Sequence, residues 1–272
     1  MAKKETTAVA VRDEALIAEL NEMFPKETGG FTRIQLPRLS FVSQDQTEGK
    51  GKSMVVTAEA GTFFTEKESG EVDEAGKKVW NKTEIGSSFN GIILYHRYQL
   101  SYYDEATEKY TSSPVYDSQD EIIPLWSDKK EVAKGTPAEL KAQYQFVDKD
   151  GKTKSKLKDN RILYVMKDGE VYQLNLHGSS MYSFMTYARN VTVPTMLTTF
   201  SSEPQEKGSI QWNMMTFKVA HPLSNEELLQ VRDKVRDIKQ AIIMEKGSRA
   251  ETPKSTVVQG EVVDADEAYE KF

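Results

Sequence analysis

Arg161-Ile-Leu-Tyr-Val-Met-Lys-Asp-Gly-Glu-Val-Tyr-Gln-Leu-Asn-Leu176 decides the architecture of this chain. Asp168-Gly169 stands between two runs rich in apolar and aromatic residues. A two-residue hairpin turn needs positive φ at both central positions, and Asp-Gly tolerates that. The turn then fixes the register. Val165 pairs with Tyr172 and Leu163 with Leu174 on the core side, while Tyr164 and Gln173 share the opposite face. The segment is a β-hairpin.

Working outward, a long strand-like run covers residues 88–103. After the hairpin, Gly178-Ser179-Ser180 offers capping hydroxyls to a helix in which Met181, Phe184, Met185 and Ala188 recur at helical spacing. Two more strands follow over 195–201 and 209–220. One long strand, a hairpin, a helix and two strands is the succession of the five-stranded OB barrel, here with a large insertion after the first strand. The expected fold is mainly β with helices, an OB-like barrel with insertions; another α+β domain with a mixed or antiparallel sheet is the alternative.

Upstream, Leu16, Ile17, Leu20, Met23 and Phe24 mark a short N-terminal amphipathic helix that Pro25 ends. Strand-like pieces follow at 54–58, 62–65 and 79–85, after a run from Ile34 to Phe41 broken by Pro37. The polar stretch 65–78 reads as a solvated, mobile loop. Downstream, Ser224 and Glu227 form a capping box, and Leu223 with Leu228 a hydrophobic staple. Leu228, Val231, Val235, Ile238 and Ile242 make a 3-4-3-4 stripe, with Gly247 as the stop. Two heptads suit a helix packed on the body better than a dimer seam, though a homodimer stays open. The organisation expected is an arm with the short helix (1–30), an OB-like nucleic-acid-binding domain with its C-terminal helix (31–247) and a disordered acidic tail (248–272).

The chain has 272 residues, no cysteine and only His96, His177 and His221, so thiolate chemistry is excluded and imidazole chemistry has little material. No run approaches a membrane span and the N-terminus lacks a secretion-type apolar core, so a cytoplasmic protein without membrane contact is expected. Residues 257–272 carry a net charge of −4 out of −6 for the whole chain. So acidic a segment, poor in large apolar groups, cannot offset its ordering entropy, and suits an interaction tail.

Sequence-tolerant binding of single strands combines stacking platforms with a positive groove. Two strands interleave these at strand parity. One face of Lys78-Val-Trp80-Asn-Lys82 carries Lys78, Trp80 and Lys82. One face of the long strand carries Tyr95, Arg97, Gln99 and Tyr103, with Leu94, His96, Tyr98, Leu100 and Tyr102 opposite as core. Tyr164 on the hairpin's outer face joins the set. Trp212 reads as core, and the three histidines as structural.

No Walker loop, HExxH or GxSxG is present, and no metal or cofactor is expected. Asp148-Lys-Asp-Gly151 lacks the closing Glu of a calcium loop and reads as a turn. The one enzyme alternative is a metal-dependent nuclease using Asp117 or Asp120 with Glu139 and Lys141. A structural or accessory protein self-associating through its C-terminal helix is the other alternative.

The OB-like succession, the segment Val171-Tyr-Gln-Leu-Asn-Leu-His-Gly-Ser-Ser-Met-Tyr182 and the tail Asp266-Glu-Ala-Tyr-Glu-Lys-Phe272 together resemble phage-type replicative single-stranded DNA-binding proteins. The likeness covers the second half of the chain; residues 25–87 and 104–160 have no counterpart in it. It implies a non-enzymatic protein of the host cytoplasm that coats single-stranded DNA in replication or recombination. Asp264, Asp266, Glu267, Tyr269, Glu270 and Phe272 would recruit partner replication or recombination proteins.

Overall fold

A computed structural model describes residues 14–23, 36–48, 55–72, 76 and 78–250 of the chain. Asp168 and Gly169 adopt φ of 51° and 78°, and the turn joins β12 (Lys158–Lys167) to β13 (Glu170–Leu176). Val165 pairs with Tyr172, Leu163 with Leu174 and Tyr164 with Gln173, as the turn chemistry requires.

β6 (Ser88–Asp104) runs antiparallel to β12 and is the longest strand. At its start it also pairs with β14 (Met196–Lys207), which pairs in turn with β15 (Ile210–Pro222). Helix α3 (Gly178–Asn190) connects β13 to β14. Further strands extend the sheet at both edges. On one side β1 (Arg38–Phe41) lies parallel to β13 and antiparallel to β4 (Phe63–Val72), which pairs with β5 (Lys78–Gly86), while β2 (Gln46–Glu48) and β3 (Val55–Ala58) form a separate antiparallel pair. On the other lie β7 (Lys109–Ser112), β8 (Ile123–Ser127) and β9 (Lys130–Gly135). The ladder path β5-β4-β1-β13-β12-β6-β7-β8-β9 is open. The protein is thus mainly β with helices. No ladder joins β13 to β15 among the described residues. Instead β1 lies beside β13, and the residues after it reach β15: the Asn213 amide donates to the Ser43 carbonyl (2.6 Å) and Gln44 Nε2 to the Gln211 carbonyl (3.0 Å).

The main core fills the inner face of the hairpin. Leu163, Val165, Tyr172, Leu174 and Leu176 pack with Ile93, Phe200, Phe217 and, from α3, Met181, Phe184 and Tyr187. Phe89 and Phe200 stack at 4.5 Å. Gly91 is required there: a Cβ would lie 2.9 Å from the Val165 side chain and 3.2 Å from the Met166 carbonyl.

The outer face is covered in part by α4 (Asn225–Ala250). The Ser224 amide donates to Glu227 Oε2 (2.7 Å), and the Glu227 amide to Ser224 Oγ (3.3 Å), completing the expected capping box. Leu228, Val231, Val235, Ile238 and Ile242 are buried against Ile92, Leu94, Tyr95, Ile162, Tyr164 and Met166. Leu16 of α1 (Glu14–Met23) joins them. The stripe is therefore occupied within one chain. Within residues 104–160, left without a counterpart by the resemblance, lie β7 to β9, α2 (Pro137–Gln143) and the small hairpin β10–β11 (Gln145–Val147, Thr153–Ser155), over a separate core that includes Leu125, Leu140 and Leu157.

Four sequence expectations change. The polar stretch 65–78 is largely strand, because β4 and β5 pair from Phe63–Gly86 out to Val72–Lys78. Helix α4 continues through Gly247 to Ala250, since one glycine weakens a helix without having to end it. Ser179 and Ser180 do not cap α3, whose N-cap is His177; their hydroxyls accept from Trp212 Nε1 (3.2 Å) and the Met215 amide (3.0 Å) of β15. Leu94 lies on the same side as Tyr95, because a β-bulge opposite Tyr164/Val165 inserts a residue and breaks the strict alternation.

Candidate nucleic-acid interface

The outer face carries a single row of paired positions. Tyr95 opposes Tyr164, Arg97 opposes Ile162, Gln99 opposes Asn160 and Ser101 opposes Lys158. On the flanks, Tyr164 opposes Gln173, Ile162 opposes Asn175, and Tyr103 opposes Tyr110 of β7. Parity therefore assigns Tyr95, Arg97, Gln99, Tyr103 and Tyr164 to one face, as the alternation in sequence implies.

Half of that face is closed. Tyr95 and Tyr164 are buried under α4, their rings 6.1 Å apart, with Lys239 Nζ 5.7 Å from the Tyr95 ring. Burial, reinforced by the charge of Asp117, pushes the Tyr95 phenol up. Arg97 has no exposed surface; its Nε and Nη2 lie 2.5 Å and 3.2 Å from Oδ1 and Oδ2 of Asp117, and Nη2 also donates to the Val115 carbonyl at 3.3 Å. A buried bidentate pair of this kind is structural, because neither charge can be left alone out of water. Tyr95, Arg97 and Tyr164 thus offer no surface to a strand, and the expectation that they do is corrected.

The other half is open. Tyr103 and Tyr110 are each 53% exposed, and Tyr182 of α3 is 66% exposed. Three adjoining cavities follow this surface. The largest, about 990 Å³, runs between Tyr110, Lys154, Lys158, Asn160, His177 and Tyr182. A second, of about 610 Å³, has Tyr102, Tyr103, Tyr110, Phe146, Lys156 and Lys158 in its wall. Asp104 and Glu105 line it too; the Thr107 hydroxyl chiefly holds the Asp104 carboxyl below its usual range, with Lys156 adding to the effect. A third, of about 480 Å³, is bordered by Gln99, Tyr110, Trp126, Gln173 and Asn175. Lys156 Nζ sits 5.6 Å from the Tyr102 ring, and neither Lys156 nor Lys158 forms an ion pair among the described residues.

The remaining sequence candidates lie elsewhere. Trp80 is half-buried beneath Arg38, whose guanidinium is 4.4 Å from the ring, and Lys82 Nζ is 4.2 Å from the Phe64 ring. Both are on β5, three strands from β13. Arg38 links them to the open half, since it lines a cavity of about 500 Å³ shared with Gln173, Asn175 and His177. Trp212, expected in the core, is only half-buried and lines the same cavity. The side chain of Lys78 and the tail positions Asp264, Asp266, Glu267, Tyr269, Glu270 and Phe272 fall outside the described residues.

Most groups needed by the nuclease alternative are engaged by other partners. Asp117 is held by Arg97, Glu139 closes the α2 capping box with Thr136, Lys141 pairs with Asp159 at 2.5 Å, and Asp120 is exposed. Among the described residues no three His, Cys, Asp or Glu side chains converge as a metal site. The sequence reading missed Tyr110, Tyr182, Lys156 and Lys158. Lys152, Lys154, Lys156 and Lys158 recur at every second position, a basic strip at strand parity that is visible in the sequence. No helix among the described residues is long and apolar enough to cross a membrane. Comparison of the chain with family models, curated proteins and solved structures finds no match.

Proposed function

We propose that this protein binds single-stranded DNA along the open half of its outer sheet face, coating strands in replication or recombination without catalysing a reaction. The observation that carries this reading is the run of exposed Tyr103, Tyr110 and Tyr182 beside Lys156 and Lys158 along adjoining cavities. Aromatic faces stack any base, and unpaired lysines attract any phosphate.

The topology supports the same reading. β6, β12, β13, α3, β14 and β15 follow the order of an OB-like barrel, with β1 wedged where the third and fifth strands would meet. Such barrels bind oligonucleotides on the face of their second and third strands and the flanking loops. In this reading those strands correspond to β12 and β13, and the flanking insertion would supply Tyr110, Phe146 and Lys156. The acidic segment 257–272 would recruit partner proteins and compete for the basic groove when DNA is absent.

The test is titration of labelled oligo-dT across a salt series, with and without magnesium. Salt-sensitive binding that leaves the oligonucleotide intact supports the proposal. Magnesium-dependent cleavage would favour the nuclease reading, and no binding at low salt would reject both.

A further inference from the structure

Four carboxamides lie on the floor of the open groove. Gln99 and Asn160 are cross-strand partners, and Gln173 and Asn175 continue the same face onto β13. They sit where the cavities adjoin: Gln99 and Asn175 each border two of the three cavities of the open half, and Gln173 and Asn175 also border the one under Arg38. All four are half-buried or exposed.

Each carboxamide spends one group on the protein. Gln99 Nε2 donates to the Ser113 carbonyl (3.1 Å), Asn160 Nδ2 to Ser101 Oγ (2.7 Å), and Gln173 Nε2 to Asn175 Oδ1 (2.9 Å). These bonds orient the side chains. They leave the oxygens of Gln99, Asn160 and Gln173 and the amide nitrogen of Asn175 without a hydrogen-bond partner among the described residues. The floor therefore presents acceptors and a donor to whatever enters the groove.

A sequence-blind groove needs only aromatic faces and positive charge. Oriented carboxamides add something different, because an adjacent donor and acceptor match the hydrogen-bonding edge of a nucleobase. Tyr110 and Trp126, which border the same cavity as Gln99, Gln173 and Asn175, are the neighbours on which such a base could stack. We infer that this groove engages the hydrogen-bonding edges of unpaired bases through Gln99, Asn160, Gln173 and Asn175, in addition to stacking and phosphate attraction. The inference rests on the single-strand reading above and assigns the base-contacting residues of that site.

The experiment compares an oligo-dT with one in which thymine is replaced throughout by difluorotoluene, a shape mimic that stacks but has almost no hydrogen-bonding edge. Each lost neutral hydrogen bond weakens binding about two- to tenfold. Wild-type protein should therefore bind the mimic at least several-fold more weakly than oligo-dT. The Gln173→Ala/Asn175→Ala variant should narrow that gap while keeping its melting temperature. Equal binding of both strands by wild-type protein, or an undiminished gap in a folded variant, overturns the inference and leaves single-strand binding standing. Failure of wild-type protein to bind either strand rejects the single-strand reading itself.

Discussion

Two halves of one sheet face differ in everything except their strand geometry. Toward one end, Tyr95, Arg97, Ile162 and Tyr164 are buried beneath α4 and the segment carrying Val115 and Asp117, with Ile162 and Tyr164 forming the wall where the open half begins. Toward the other, Gln99, Ser101, Tyr103, Lys158 and Asn160 continue the same rows and border open cavities. Period-2 alternation says which side of a strand a residue occupies. Whether that side is covered is decided by elements distant in sequence. The closed half carries stability, and under the proposed function the open half would carry the ligand contacts, so substitutions in the two should separate cleanly.

The largest effect is expected at the buried ion pair. Asp117→Ala leaves the buried Arg97 guanidinium without its counter-charge, and breaking such a pair costs about 3–5 kcal/mol. Chemical denaturation should report a loss of that size. Where the variant still folds, its affinity for oligo-dT should match wild type. A loss below about 1 kcal/mol would mean that water reaches Arg97, and the contrast between the halves would fail.

Acid should weaken the fold through His96 on the inner face. Its ring meets Tyr98 at 5.6 Å and Phe184 at 5.7 Å. Burial, aided by the positive charge of Arg161, lowers its pKa from 6.5 to about 3. The folded state disfavours the imidazolium, so the unfolded chain binds the extra proton. The stabilising effect of a neutral His96 is full above about pH 6.5 and is lost as pH falls toward 3. By pH 5 the loss is on the order of 2 kcal/mol. Melting curves at pH 7.5 and pH 5 should show a smaller acid shift for His96→Phe than for wild type. An identical shift would show that the imidazole is hydrated in the folded protein.

The open half predicts the reverse pattern. Tyr110→Ala should weaken oligo-dT binding by about 1–3 kcal/mol, the range for one stacked base, with stability within about 0.5 kcal/mol of wild type. Tyr95→Phe, in the closed half, keeps its ring under α4 and should bind as wild type does. If Tyr110→Ala binds normally while Tyr95→Phe does not, the strand lies on the half assigned to the core.

The same contrast measures what the sequence made legible. The hairpin register, the α4 capping box and the α4 stripe were readable because each depends on residues within a few positions of one another. The face of β6 was readable by the same local rule, apart from the β-bulge that moved Leu94. Coverage was not, because α4 closes over Tyr95 from about 140 positions downstream. Arg97 misled for the same reason: alternating arginine and tyrosine look alike on an open strand and above a buried aspartate 20 positions away. The long polar insertion hid Tyr110, Phe146 and Lys156, whose convergence needs the pairing of β6 with β7 and the β10–β11 hairpin. The lysines at alternate positions from 152 to 158 were a local signal, and a parity search for charge would have found them.

The smallest predicted effect tests how the open half uses charge. Lys156 and Lys158 lie on the cavities but form no ion pair among the described residues, so a phosphate could take either as counter-ion. Each phosphate neutralised releases condensed ions, and for a single strand it contributes about 0.7 to the slope of log affinity against log salt. Lys156→Ala and Lys158→Ala should each lower that slope by up to this amount. The loss in affinity should shrink as salt rises, because the missing contact matters least when its charge is screened. Lys141→Ala is the internal control: its ammonium is already engaged by Asp159 at 2.5 Å, so the slope should change less. If Lys141→Ala flattens the salt dependence more than Lys156→Ala and Lys158→Ala do, the assignment of the open half's phosphate contacts to Lys156 and Lys158 fails.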